Sequence, residues 1–171
     1  MIIREALAND KPEIIYLYER SQAATGLPNP LIIPPAELGS RLYAHEAIKR
    51  YVATEAGKIL GHGLIEPPND EHTNKWRKAL NDPAGKLIEI GGAFVDPDLS
   101  GRGIWTGLLL HHLTDIRTLS AAPVTATWTQ NEHVKRVFKK HGGFYAGTQD
   151  TQQGVVDLFV FKQSSFSRLD R

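Results

Sequence analysis

The chain has 171 residues, a net charge of +1 and no cysteine. That length suits one domain that buries about two-thirds of the surface of its unfolded chain, and we expect it over residues 1–163, before a polar tail at 164–171. The balanced charge disfavours a nucleic-acid or anionic-membrane binder. Without cysteine there are no disulfides, thiolate metal sites or cysteine nucleophiles. No run approaches the roughly 20 apolar residues that a membrane span needs, and the first ten residues lack the basic and apolar regions of a signal peptide. The sequence therefore predicts a cytoplasmic protein.

The first part of the chain reads as one strand and two helices. Residues 1–7 are apolar enough for a strand, and Ile14, Leu17 and Tyr18 recur at the spacing of one helix face. The proline-rich segment 26–35 is either a packed connector or a wall of a substrate cleft. A second helix is predicted over 36–48.

A β-hairpin and a long polar excursion follow. Residues 50–65 predict two strands, because Gly57 lies in the turn between two β-rich runs. The excursion 66–86 carries Trp76 among cations on a possible short helix. Its polar composition favours a solvated loop over a substrate flap or a subunit contact, and an exposed Trp76 would favour the contact.

Residues 87–117 predict a strand, a glycine loop and a helix. The apolar run up to Val95 is typical of a strand covered on both faces, and Pro97 ends it because proline cannot donate to a sheet ladder. Apolar residues then recur at helical spacing from Ile104 onward. The glycines at 101 and 103 let backbone N–H groups converge where the helix dipole is positive. This arrangement predicts an anion site, most naturally for phosphate.

The C-terminal third predicts a strand, a helix and two further strands. Residues 123–129 are rich in β-branched side chains, and Asn131 is placed to cap a helix that ends at Gly142. Residues 144–146 and 155–162 predict the last two strands, around a turn at 152–154. Lys135, Arg136, Lys139 and Lys140 give that helix a cationic face, which we interpret as solvated.

The glycine spacing in this stretch does not match the common phosphate-binding and nucleophile motifs. A Rossmann fingerprint needs a third glycine where Thr106 stands, and a nucleophile elbow needs one at Asp98. No Gly-Lys-Ser/Thr occurs for a Walker loop. The histidines His62, His111, His112 and His133 form no recognisable metal set.

The stretch resembles the acetyl-CoA loop of the GNAT superfamily of N-acetyltransferases. In that pattern a strand ending Val-x-Pro precedes Arg/Gln-x-x-Gly-x-Gly/Ala and an apolar helix, and residues 95–97 and 101–104 match it. Asn131 and the helix ending at 142–144 resemble the family's second CoA segment. The resemblance implies a mixed α/β fold, with helices on both faces of a six- or seven-stranded, mostly antiparallel twisted sheet.

The resemblance also implies the cofactor and its ligands. Acetyl-CoA would be the co-substrate, with an amine as acceptor and no metal. The residues implied for CoA binding are Phe94, Val95, Ser100, Gly101, Arg102, Gly103, Ile104, Trp105, Thr106, Asn131 and Phe138. The acceptor stays open, and a homodimer is allowed.

Glu89 is the candidate general base. It is the one charge in an apolar strand, six residues before Val95, where some family members carry a catalytic glutamate. A base is needed because an alkyl ammonium has a pKa near ~10.4 in water. The alternative is a glutamate that is exposed or paired with a lysine.

Three residues depart from the family pattern. Asp98 replaces an Arg or Gln, Trp105 replaces a small residue, and Phe138 stands where many members have the tyrosine that protonates the thiolate. Either the enzyme works without that acid or Tyr145 supplies the proton. The alternative function is a non-catalytic acyl-CoA-binding or protein-interaction module on the same fold.

Overall fold

The computed structural model describes residues 1–25, 49–151 and 154–162. The predicted proline-rich segment 26–35, the helix at 36–48, most of the turn at 152–154 and the tail at 164–171 lie outside the described residues. The elements are β1 (Ile2–Glu5), α1 (Lys11–Thr25), β2 (Lys49–Glu55), β3 (Lys58–Glu66), α2 (Asp70–Leu80), β4 (Leu87–Val95), α3 (Ile104–Thr118), β5 (Ala122–Trp128), α4 (Glu132–Lys140), β6 (Gly143–Thr151) and β7 (Gly154–Phe161).

The seven described strands form one sheet in the order β1-β2-β3-β4-β5-β7-β6. The pairs β1/β2, β2/β3, β5/β7 and β6/β7 are antiparallel, whereas β4 and β5 run parallel. The predicted class, a mixed α/β protein with a mostly antiparallel sheet, is therefore confirmed. The chain divides into a first unit, residues 1–65 with 91–112, and a second unit, residues 66–90 with 113–171.

The first unit has helices on both faces of its strands. On one face, Ile14 and Tyr18 of α1 form a buried apolar cluster with Val52 and Phe94. On the other face, α3 packs closely against glycines of β3. A Cβ on Gly63 would lie 2.4 Å from His112 Cε1, so a larger residue there would clash with the helix. The predicted hairpin is confirmed, with a two-residue turn between β2 and β3.

The second unit packs helices on both faces of β7. Side chains alternate along a strand, so Leu158 and its even-numbered neighbours join a cluster with Trp76 of α2. On the opposite face, Phe138 of α4 contacts Phe159 and Phe161, with ring centroids 5.3 and 5.9 Å apart. Both helices are thus fixed to one strand.

The prediction of a solvated loop over 66–86 is wrong. Residues 70–80 form α2, and the Trp76 side chain is fully buried in the second unit. Asn69 caps this helix by accepting a hydrogen bond from the Glu71 N–H at 2.9 Å. Burial of the large indole holds the helix on the sheet.

Two smaller predictions are confirmed. Asn131 caps α4, accepting a hydrogen bond from the Val134 N–H at 3.2 Å, and Gly142 follows the helix with a φ of +85°. Among the described residues, no helix is long and apolar enough to cross a membrane.

Candidate functional site

In the first unit, β4 leads into the predicted glycine loop. A 3₁₀ turn over Pro97–Leu99 begins where Asp96 accepts a hydrogen bond from the Asp98 N–H. Gly101 and Gly103 then have φ values of +81° and +75°, a region that L side chains rarely adopt. A Cβ on either glycine would meet no atom within 4 Å. The loop is therefore open on the side that these glycines face.

The loop offers unused hydrogen-bond donors to an anion. No residue in the described part of the chain accepts a hydrogen bond from the N–H groups of Gly101, Gly103 or Ile104. The helix α3 begins at Ile104, so its positive dipole end adds to these donors. Residues 100–103 are exposed, and a phosphate can reach them.

Two carboxylates next to the loop are paired with one arginine of α1. Arg20 lies 3.0 Å from Asp96 Oδ2 and 2.6 Å from Asp98 Oδ2. Its hydrogen bond to Asp98 raises the pKa of the guanidinium, so the cation is retained at any relevant pH. A cation from another element thereby offsets part of the negative charge that Asp96 and Asp98 bring to the predicted anion site.

Arg102 also has a partner in the first unit. Its Nη2 lies 3.0 Å from Glu55 Oε2, and the Met1 ammonium lies 3.5 Å from the same carboxylate. The hydrogen bond from Arg102 lowers the pKa of the Glu55 carboxyl. Arg102 is half-exposed, so this surface pair is weak enough for a phosphate to compete with Glu55.

The other residues predicted to bind CoA around the loop are buried or partly exposed, so they offer a ligand mainly their backbone groups. Phe94 is buried, with its ring stacked on His62 at 4.8 Å and edge-on to Tyr18 at 5.3 Å. Ile104 is also buried, whereas Val95, Trp105 and Thr106 are partly exposed.

His62 fixes an irregular point in β4. Its Nδ1 lies 3.0 Å from the Gly92 carbonyl oxygen, and Gly92 has a φ of +54°. Full burial lowers the pKa of His62 to about 4, so the ring is neutral at pH 7. A neutral ring that bonds a carbonyl through Nδ1 carries its proton there, so Nδ1 donates.

In the second unit, Glu89 is partly buried and hydrogen-bonded. Its Oε2 accepts a hydrogen bond from the Asn69 N–H at 3.0 Å. Burial raises the pKa of the Glu89 carboxyl to about 7, the Asn69 N–H opposes that rise, and the nearby Glu66 adds to it. No described residue forms an ion pair with Glu89, so the expected alternative of a lysine partner is not observed.

Tyr145 heads a chain of hydrogen bonds in the second unit. Its hydroxyl contacts Thr148 Oγ1, which donates to Asp157 Oδ1 at 3.1 Å. Because the one hydroxyl proton of Thr148 goes to Asp157, the phenol must donate to Thr148. Lys135 Nζ lies 3.1 Å from Asp157 Oδ2 and completes the chain. Tyr145 itself is 53% exposed.

The remaining two predicted site residues lie on α4. Asn131 is partly exposed at the start of the helix. Phe138 is only 2% exposed and packs on Phe159 and Phe161. Its ring therefore belongs to the core of the second unit.

Sequence reasoning missed Asn69 and Arg20. The possible short helix predicted around Trp76 is α2, and the spacing of His72, Trp76 and Leu80 marks its buried face. Nothing local marks Arg20 as a partner of Asp98. Among the described residues, no group of three or more His, Asp or Glu side chains could hold a metal ion.

Comparison with protein-family models identifies the family of this chain. The acetyltransferase (GNAT) family matches residues 14–144, so the chain belongs to this family. The predicted family and enzyme class are confirmed. Family members use acetyl-CoA as a co-substrate. A search of curated proteins by sequence gives no match.

Solved structures show the same fold at low sequence identity. An N-acetyltransferase from Staphylococcus aureus Mu50 is 18% identical, with a TM-score of 0.71 over 93% of this chain and 95% of its own. The putative acetyltransferase YncA from Salmonella typhimurium, solved with its cofactor acetyl-CoA, is 16% identical, with a TM-score of 0.72 over 95% and 93%. A phosphinothricin acetyltransferase from Sinorhizobium meliloti in complex with AcCoA is 15% identical, with a TM-score of 0.71 over 93% and 86%.

The geometry of Glu89 predicts an unusual titration. Its folded pKa of about 7 exceeds the ordinary 4.5, so the folded protein binds more protons than the unfolded chain between these values. The free energy of unfolding should therefore fall as pH rises through that window, and the loss should be complete above pH 7. Urea unfolding at a series of pH values measures it, and Glu89→Gln is the control that should lack this component. Identical pH slopes for both proteins would contradict the raised pKa.

Proposed function

We propose that this protein transfers the acetyl group of acetyl-CoA to a primary amine, with Glu89 as the general base. The observation that carries the proposal is the partly buried, hydrogen-bonded Glu89 carboxylate on the strand that precedes the glycine loop. A carboxyl with a pKa of about 7 is half ionised near neutral pH. It is then a much stronger base than an ordinary glutamate.

The reaction needs one proton removed and one supplied. The acceptor arrives as an ammonium with a pKa of about 10.4, and Glu89 takes its proton directly or through a water molecule. The neutral nitrogen attacks the thioester carbonyl carbon, the new C–N bond forms, and the C–S bond breaks. The CoA thiolate leaves and takes up a proton.

The glycine loop is the proposed pyrophosphate site. The N–H groups of Gly101, Gly103 and Ile104 have no acceptor among the described residues, and they lie at the positive end of α3. Backbone groups of Phe94 and Val95 would hold the pantetheine and the thioester. Around the phosphates and the pantetheine, the loop residues Ser100, Arg102, Trp105 and Thr106 and the cap residue Asn131 would add contacts.

Tyr145 is the proposed general acid. The position where many family members carry a tyrosine is Phe138, which has no hydroxyl and is enclosed by aromatic rings. Tyr145 is exposed and keeps its hydroxyl ordered through Thr148. To protonate a thiolate, the phenol would turn away from Thr148.

The alternative is a non-catalytic acyl-CoA-binding or protein-interaction module. The absence of a hydroxyl at Phe138 favours it. A thiol-release assay with acetyl-CoA and a panel of amino acids, polyamines and peptides separates the functions, because only an enzyme releases CoA in an amine-dependent manner. Calorimetry with CoA then separates the two non-catalytic functions.

Gly103→Asp should weaken CoA binding at least tenfold, which corresponds to about 1.4 kcal/mol. The substitution strains a φ of +75° and places a negative charge among the proposed phosphate donors. Gly103→Ala carries the strain without the charge, so it should lose less affinity in the same calorimetric titration. A folded Gly103→Asp protein with unchanged affinity would exclude the loop as the phosphate site.

Glu89→Gln should lower kcat by about 10²-fold with little change in CoA affinity, because the amide keeps the shape and cannot take a proton. In the wild type, kcat/KM should rise with pH through about 7, as Glu89 loses its proton, and the variant should lack this limb. Glu66→Gln is the matched control. Removing that repulsive charge should move the limb to lower pH while activity is retained. Full activity of Glu89→Gln with an unaltered pH profile would rule out the base.

Tyr145→Phe should slow single-turnover acetyl transfer several-fold. The loss is limited because a thiol of pKa about 8.5 is already a fair leaving group at neutral pH. Thr148→Val removes the hydrogen-bond partner but keeps the phenol, so its rate should stay closer to the wild type. Phe138→Tyr should give no gain, since its ring is 2% exposed. A faster Phe138→Tyr enzyme and an unaffected Tyr145→Phe enzyme would transfer the role to position 138.

A further inference from the structure

The start of α2 holds the carboxylate of Glu89. We propose that Asn69 is a positioning residue, whose backbone N–H fixes Oε2 of Glu89 and leaves Oε1 to take the proton. This inference rests on the proposed function of Glu89 as the base. The bond joins Asn69 N to Glu89 Oε2 at 3.0 Å, and no described residue bonds Oε1.

Asn69 is itself held rigidly by α2. Its side chain accepts a hydrogen bond from the Glu71 N–H at 2.9 Å. Its carbonyl accepts from the N–H groups of His72 and Thr73, both at 3.1 Å, and from Thr73 Oγ1 at 3.0 Å. The donor N–H is therefore as fixed as the helix that follows it.

The helix and the strand that carries Glu89 share one apolar cluster. Trp76, fully buried, belongs to the same cluster as Leu87 and Val124. Leu87 and Glu89 are two residues apart on β4, so they lie on the same face of the strand. Packing of Trp76 on this face brings the amino end of α2 to Glu89. The register between helix and strand thus sets the position of the carboxylate.

The charged groups around Glu89 and the Asn69 N–H have opposite effects on the pKa of Glu89. Glu66 ends β3 and raises the pKa of Glu89, as burial does. Asp70 and Glu71 add two negative charges in the first turn of α2. The Asn69 N–H and the positive helix end favour the ionised carboxylate. Removal of the N–H should therefore raise the pKa of Glu89 further.

Asn69→Pro removes the N–H with little backbone strain. The φ of Asn69 is −62° and its ψ is 130°, and proline fixes φ near −65°. Asn69→Ala is the matched control, because it loses the side-chain cap as the proline variant does but keeps the N–H. Both variants should lose similar stability through the cap.

The titration of Glu89 in the folded protein tests the proposal without activity. By carbon-detected NMR, we expect the pKa of Glu89 in Asn69→Pro to exceed that in Asn69→Ala by about one unit or more, the worth of a hydrogen bond to a charged group. The acid limb of the kcat/KM profile should move by the same amount, so the activity of Asn69→Pro relative to Asn69→Ala should be about tenfold lower at pH 6 than at high pH. A merely structural role would lower activity equally at every pH. Equal pKa values in the two variants would overturn the proposal.

A second readout needs only the wild type and Glu89→Gln. The Asn69 amide proton should shift with pH in the wild type, with the same pKa as Glu89, and should not shift in Glu89→Gln. If the chemical shift of the Asn69 amide proton did not change as Glu89 ionises, the proposal would also be overturned. This result does not depend on whether Asn69→Pro folds. If the two groups titrate together but Glu89→Gln retains full activity, the positioning holds and the proposed base is wrong.

Discussion

The structure around β4 depends on one electrostatic constraint, the cost of burying the Glu89 carboxylate. A carboxylate removed from water without partners protonates instead of staying charged. A single N–H from Asn69 offsets part of this cost. The result is a pKa of about 7, which suits a group that must accept a proton near neutral pH. A stronger set of donors would stabilise the ionised form and make a poorer base.

A second balance of charge governs the glycine loop. Asp96 and Asp98 precede the two loop glycines, where an added Cβ would meet open space, and two negative charges there would repel a phosphate. Arg20 of α1 binds both carboxylates, and its one positive charge offsets part of that repulsion. The family pattern places an Arg or Gln within the loop, whereas this chain has Asp98 there and a cation from a helix far away in sequence. A cation next to the loop is thus supplied by a different element.

The parts of this structure that the sequence predicts are those set by neighbouring residues. The strand, glycine loop and helix at 87–117 follow from apolar periodicity and from the glycines at 101 and 103. In the structure both glycines have positive φ values. The possible short helix at Trp76 is present as α2, but its burial was not predicted, because its buried stripe is narrow, with Trp76 as its main anchor. The bond between Asn69 and Glu89 spans 20 positions and uses a backbone N–H. No side-chain pattern can reveal such a donor.

The two proton transfers of the proposed reaction make unequal demands on the protein. An ammonium with a pKa of about 10.4 hardly loses its proton at pH 7, whereas a thiolate whose acid has a pKa of about 8.5 leaves without much help. The proposed base, Glu89, is accordingly bonded to a capped helix that carries a buried tryptophan. The candidate acid, Tyr145, is exposed and donates to Thr148. A phenylalanine at 138 is then tolerable, because the missing hydroxyl serves the easier of the two steps.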